Sequence, residues 1–195
     1  MTAADIQEKL APSLAALGVT DPDFTDALAA CSTVHYFDKE QSLVQANQHP
    51  KYFGFITRGL FRYYYIGAEG KERNKSFYTE NLPVGSLNSQ ITGEPCPFTI
   101  EALEPSEAIL TPTAKIAALE QYPAFQDMLN LITRQHFLRN ERREAMLLTL
   151  GAEQRYQWLL DHEPHLASRV PQYHLASYLG MDAVSLSRIK KNLKP

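Results

Sequence analysis

The spacing of apolar residues changes twice along the chain. Between about Ser32 and Thr111, short runs of β-branched and aromatic residues follow one another: TVHYF, SLVQ, YFGFITRGLFRYYYIG, KSFYTE, FTIEAL and EAILTP. Turn signals separate them at Gly59, at Ala68-Glu69-Gly70, at Asn81 with Pro83, and at Glu94-Pro95-Cys96-Pro97. Many short strands at this spacing predict an antiparallel barrel or jelly roll. The two strands flanking Ala68–Gly70 predict a hairpin. Ahead of this region, residues 2–17 and 21–30 read as helices, and Asp21-Pro22 predicts a capped start with proline in the first turn. Behind it, residues 114–121 predict a short helix, and Pro123 opens a long helix from Ala124 to about Leu148. The apolar residues of that helix (Phe125, Met128, Leu129, Leu131, Ile132, Phe137, Leu138) cover more than one face. A helix apolar on two faces needs two partners. One is expected to be the barrel and the other the same helix of a second copy, giving a homodimer through residues 124–148. The plainer alternative is a helix wedged inside one chain. Residues 152–162 predict an amphipathic helix with Tyr156, Leu159 and Leu160 inside and Trp158 in a core or at a domain junction.

The most specific pattern is the last stretch, RVPQYHLASYLGMDAVSLSRIKKNLKP. Two short helices joined at Gly180 fit it. Leu175, Ala176 and Leu179 face Leu186 and Ile189 across the turn at Met181, and Leu193 extends the inner face of the second helix. Ala176 falls where two steeply crossing helices leave little room. Gly180 ends the first helix where a left-handed backbone is needed. Asp182 is placed to cap the second. This is the spacing of a DNA-binding helix-turn-helix; the plainer alternative is a helical hairpin with a basic end. Ser185, Ser187, Arg188 and Lys191 lie on the outer face. The formal net charge of the chain is −3, yet from His165 onward five Lys/Arg face a single acid, Asp182. Positive charge gathered on a terminal helix pair suits phosphate approach there and repulsion elsewhere. The expected contacts with double-stranded DNA are Arg188 to a base edge, Ser185 and Ser187 to phosphate or base, and Lys190, Lys191 and Arg169 to phosphate.

These textures divide the chain into an α+β protein of three parts. Residues 1–122 form a β-barrel effector-type domain with N-terminal helices, 123–150 a connecting and dimerisation helix, and 151–195 a helix-turn-helix domain. A β-rich N-terminal region, a long connecting helix and a C-terminal helix-turn-helix together resemble the cyclic-AMP receptor / fumarate-nitrate regulator (Crp/Fnr) family of bacterial transcription regulators: VPQYHLASYLGMDAVSLSRIKKNL looks like its DNA-reading motif, and ITRGLFRYYYIGAEGKERNKSFY is similar to its central hairpin. The resemblance covers nearly the whole chain and is similar to a short subgroup, without the β-hairpin wing that many members carry after the recognition helix. It implies a cytoplasmic homodimer on a pseudo-palindromic operator, with an effector pocket inside the barrel. Arg58, Arg62, Tyr63, Tyr65, Tyr78, Gly85 and Ser86 are the candidate lining of that pocket; ordinary barrel packing is the alternative for them.

Departures from the family pattern change the expectation. Members that bind cyclic AMP carry a Gly-Glu pair and, after a short helix, an Arg beside a Ser or Thr. Here Ser86 stands at the Glu position and Pro97-Phe98 near the Arg-Ser position, with no Arg or Lys from Gly85 to Leu103. A buried phosphate without a cation is costly, so useful affinity for cyclic AMP or cyclic GMP is not expected; any effector is a different, unidentified molecule. Two cysteines do not supply the four ligands of an iron–sulfur cluster. Six histidines mark no haem ligand pair, and no His-x-His, Gly-rich phosphate loop or Ser-His-Asp order occurs. No enzyme, cofactor or metal is therefore expected. No run approaches the length of a membrane span, and the N-terminus lacks the basic start and apolar core of a secretory signal. Where the family commonly reads bases with an Arg or Pro, then a Glu and an Arg, this chain has Ala183, Val184 and Arg188. Only the last is retained. The operator is then unlike the family consensus, or the chain is a ligand- or partner-binding module whose DNA motif has weakened.

Overall fold

Strict alternation along the strands sorts two cores. The computed structural model describes residues 2–192. Helices α1 (Ala3–Ala16) and α2 (Pro22–Cys31) lead into strands β1 (Thr33–Phe37), β2 (Ser42–Val44), β3 (Tyr52–Arg58), β4 (Phe61–Ile66), β5 (Glu72–Tyr78) and β6 (Pro83–Val84). A short helix α3 (Leu87–Thr92) precedes β7 (Thr99–Ala102) and β8 (Ser106–Pro112). The strands form two four-stranded sheets, in the orders β1-β8-β3-β6 and β2-β7-β4-β5. In the first, Ile109 stands opposite both Val34 and Phe55 in antiparallel register. Ala108 and Leu110 point into the space between the sheets with Ile56, Phe61, Tyr63, Tyr78, Phe98 and Ile100. Ile109, Phe53 and Phe55 point outward and are covered by Leu10, Leu14, Phe24 and Leu28 from α1 and α2. A one-residue slip of β8 would exchange these sets, so burial on both faces fixes its register.

The helix starts are locally encoded. Thr2 and Asp5 bond reciprocally at the head of α1, at 2.7 and 3.2 Å. Asp21 accepts from the Phe24 N–H at 3.1 Å, with Pro22 in the first turn of α2. The segment expected as one helix over 114–121 is instead α4 (Thr113–Ile116) followed by a 3₁₀ turn, Ala117–Leu119, which buries only Leu119. A tighter turn brings every third residue to one side, and only one apolar anchor is required there.

Helix α5 (Pro123–Thr149) is continuous over 27 residues, about 40 Å at the usual rise. Phe125, Met128 and Ile132 join the outer core, whereas Phe137, Leu138 and Leu148 are exposed. Short helices follow: α6 (Ala152–His162), α7 (Pro164–Arg169), α8 (Gln172–Tyr178) and α9 (Ala183–Asn192). In α6, Tyr156 and Leu159 are buried; Leu160, expected inside, is half-buried, and Trp158 stacks on His162 with ring centroids 4.8 Å apart. The chain divides into two compact units. One holds the residues through Tyr63 with Phe77–Gln135; the other joins the hairpin tip Tyr64–Ser76 to the residues from His136 on. Helix α5 and the hairpin strands β4 and β5 each give residues to both. No helix among the described residues is long and apolar enough to cross a membrane.

Candidate nucleic-acid interface and candidate effector site

Helix α8 ends as its sequence dictates. Gly180 has φ +66°, its N–H donates to the Ser177 carbonyl at 3.2 Å, and the Met181 N–H donates to the Ala176 carbonyl at 3.0 Å. That pair of bonds is a Schellman ending. It turns the chain so that Leu175, Ala176, Leu179 and Leu186 are all buried between α8 and α9. Ile189 is half-buried, and Leu193 and Lys194 lie outside the described residues. Asp182 caps α9: the Ser185 N–H donates to it at 2.7 Å and the Ser185 hydroxyl at 2.9 Å. Those bonds hold the Asp182 carboxyl below the usual carboxylate range.

The outer face of α9 carries Ser187, Arg188 and Lys191, all exposed. Lys190 and Ser185 are half-buried, and the Ser185 hydroxyl is engaged in the cap. Arg169, at the end of α7, is half-buried. Ala183 and Val184 are exposed beside them, Val184 by 61%. The six candidate DNA contacts thus comprise a compact group on α9 and one residue, Arg169, on a different helix.

Sequence reasoning missed the polar framework beneath α8. Glu163, nearly buried, accepts from Arg139 Nη2 at 2.8 Å and from the Tyr178 hydroxyl at 2.8 Å. The Arg143 guanidinium stacks over the Tyr178 ring at 4.7 Å and donates to the carbonyls of Tyr178 at 2.9 Å and Asn74 at 3.1 Å. Burial, then the Glu163 carboxylate, pushes the Tyr178 phenol well up; burial pulls Arg143 down. Asn74, from the hairpin tip, meets α8 three times. Its N–H donates to Ser177 Oγ at 3.0 Å, and its amide nitrogen lies 3.0 Å from the His174 carbonyl and 3.1 Å from His174 Nδ1. Arg155 brackets the turn from below, donating to the carbonyls of Leu147, Leu150 and Leu179 at 2.9, 2.9 and 3.2 Å. It thereby occupies acceptors that helix ends leave open. No periodicity marks such residues in advance, because each is fixed by its partner.

His136 lies beside this framework. Burial, with Lys75 (Nζ to Nε2 3.4 Å) and Arg139 close by, lowers its pKa from 6.5 to about 4. The unfolded ring takes a proton near pH 6.5, the folded one only near 4. Its contribution to stability is therefore complete above pH 6.5 and is lost as pH falls from 6.5 to about 4. Thermal midpoints followed over that window should decline less steeply in His136→Gln than in the parent; identical slopes would show that another group sets the acid limb.

The candidate effector residues do not share one surface. Tyr63 is enclosed between Tyr78 and Phe98, with ring centroids 4.5 and 5.4 Å away. Its hydroxyl accepts from the Gly85 N–H at 3.0 Å and lies 3.3 Å from the Gly85 carbonyl. Gly85 has φ +142°, and a Cβ there would meet the Phe53 ring at 2.6 Å, so a larger residue would be strained and would displace that ring. Ser86 is fully buried and caps α3 through the Ser89 N–H at 3.3 Å. Arg62 stands on the opposite face of β4, where its guanidinium is buried against Glu101 at 2.8 Å. Arg58 and Tyr65 are exposed. Only Tyr63, Tyr78, Gly85 and Ser86 come together, around the packed rings of Tyr63, Tyr78 and Phe98.

Known proteins agree with this architecture. Residues 34–122 match the family model of the cyclic nucleotide-binding domain. No curated protein matches the chain in sequence. Among solved structures, FixK2 of Bradyrhizobium japonicum is 18% identical, with a TM-score of 0.74 over 83% of this chain and 84% of that one. The c-di-GMP responsive global regulator CLP of Xanthomonas campestris is 17% identical, with a TM-score of 0.71 over 89% and 92%. The catabolite activator protein of Thermus thermophilus is 15% identical, with a TM-score of 0.58 over 93% and 86%. Residues 34–122 are thus similar to a cyclic nucleotide-binding domain, and the chain as a whole shares the fold of these three solved structures.

Proposed function

We propose that the chain is a DNA-binding transcription regulator that acts in the cytoplasm as a homodimer and does not respond to cyclic AMP. The observation that carries this reading is the exposed row Ser187, Arg188 and Lys191 on α9, above a buried Leu186. A helix seated by its inner face and cationic on its outer one is built to lie in a duplex groove. Residues 151–195 are then the DNA-reading part, 1–122 the sensor part and 123–150 the connection. Phe137, Leu138 and Leu148 leave an apolar seam on α5 that a second copy of the same helix would cover. Arg188 is assigned to a guanine edge, Ser187 and Ser185 to phosphate or base, and Lys190, Lys191 and Arg169 to phosphate.

Arg188→Ala should lower operator discrimination by about 5–160-fold, from the ~1–3 kcal/mol that a bidentate guanine contact supplies. The thermal midpoint should stay put, since the side chain is exposed. A footprint unchanged by the substitution would remove Arg188 from the reading role. The exposed apolar pair Ala183 and Val184 favours a second reading, a partner- or ligand-binding module with weak DNA affinity. Salt dependence separates the two: a regulator shows a steep fall of affinity with salt, a module a slope near zero.

The packing of Tyr63 against the rings of Tyr78 and Phe98 inside the barrel and the absence of any Lys or Arg from Gly85 to Leu103 support the cyclic AMP part of the proposal. Titration calorimetry with cyclic AMP should give no heat of binding at micromolar concentrations; a micromolar dissociation constant would overturn this part and leave the DNA reading intact.

A further inference from the structure

A sizeable opening in the sensor unit lies outside the barrel. It has a volume of about 380 Å³ and sits against the outward face of β3, between α3 and the first turns of α5. Its floor is apolar: Phe53, Phe55, Leu119, Phe125 and Met128, with Leu28 behind them. Half-buried Leu87 and Leu129 form opposing walls. The volume falls within the range of small-molecule sites, which are likewise apolar with a few polar groups at chosen points.

The polar groups are of one chemical kind. Thr111 and Thr133 also line the cavity, but their hydroxyls are engaged, with Ser32 and with the Leu129 carbonyl, both at 2.7 Å. Gln90 on α3, and Gln126 and Asn130 one turn apart on α5, supply the remaining capacity as neutral amides. Glu120 is the sole charged residue of the lining, which contains no Lys, Arg or His. A carboxylate or phosphate ligand would meet a negative charge and no cation, and burying an anion so is costly. A molecule with an apolar body and an uncharged hydrogen-bonding head meets matching groups at both ends.

A second protomer is a poorer occupant. The exposed positions of α5 that line this opening are polar (Gln126, Asn130, Thr133), and the exposed apolar ones begin only at Phe137. We infer that this cavity is a binding site for a neutral amphiphilic small molecule, with a hydrocarbon or aromatic body on Phe55, Phe125 and Met128 and a carbonyl- or amide-type head at Gln90, Gln126 and Asn130. The site is separate from the barrel interior in which Tyr63 packs. The inference is independent of the DNA reading.

The test uses the full chain and the neutral fluorophore N-phenyl-1-naphthylamine. Saturable enhancement with one site per protomer is expected, weakened at least tenfold in Leu129→Trp, which fills the cavity. Decanamide should displace the probe at least tenfold more effectively than decanoate, and this holds as a test even if Leu129→Trp fails to fold. Gln126→Leu with Asn130→Leu should narrow that difference while retaining the probe. Absence of saturable binding, equal binding by a folded Leu129→Trp, or stronger displacement by decanoate would each overturn the site. So would an affinity for the probe that falls as protein concentration rises, because a second copy would then be the occupant.

Discussion

Glu163→Ala should destabilise the C-terminal unit by about 3–5 kcal/mol, the usual result of removing one partner from a buried ion pair. The substitution takes the carboxylate from Arg139, whose side chain is only 24% exposed, and from the fully buried hydroxyl of Tyr178. Arg139 is only partly solvated and the Tyr178 hydroxyl not at all, so part of the desolvation cost persists after their common partner has gone. Glu163→Gln retains an acceptor and loses the charge, and should fall about midway. Urea unfolding followed through the single tryptophan, Trp158 on α6, reports on this unit directly. If Glu163→Ala unfolds within 1 kcal/mol of the parent, an estimate set by typical surface pairs, the framework does not hold α8 in place.

Tyr63→Ala should cost a similar amount, about 3–5 kcal/mol, as large-to-small changes at aromatic core positions do. Tyr63 is 2% exposed, touches the rings of Tyr78 and Phe98, and bonds the Gly85 backbone. Tyr63→Phe keeps the ring contacts and loses the hydroxyl, so about 1 kcal/mol separates it from the parent. The larger variant carries a second expectation. It vacates space inside the barrel, yet the stretch from Gly85 to Leu103 still offers no cation. Cyclic AMP should therefore bind Tyr63→Ala no better than the parent. Chemical denaturation checks the first statement and calorimetry on the folded variant the second. A gain in nucleotide affinity would show that steric filling alone keeps the nucleotide out.

The parts legible in the sequence were those with a period or a local rule. Ala108, Ile109 and Leu110 alternate between two cores because a strand alternates, and Gly180 is a glycine because a Schellman ending requires φ > 0. Asp182 and Asp21 cap their helices through neighbours three residues on. The remainder depends on partners far along the chain. Nothing near Glu163 announces Arg139 or Tyr178, and nothing near Tyr63 announces Gly85. Arg62 and Tyr65 read as pocket residues by their type and their place in the barrel strands, but Arg62 stands on the opposite face of β4 against Glu101 and Tyr65 is exposed. Likewise the cavity beside α5 has no signature in sequence: Gln90 and Gln126 become neighbours only after α3 and α5 have packed.

Asn74 and Ser177, joined at 3.0 Å, are separated by 103 residues. The unit they share is assembled from an internal hairpin and the far end of the chain. During synthesis on the ribosome the hairpin emerges early and must wait, with its buried asparagine uncovered, until α8 has been translated. A nascent chain halted before residue 172 therefore has no route to a finished C-terminal unit, and a gene fragment beginning at residue 136 lacks part of its own interior.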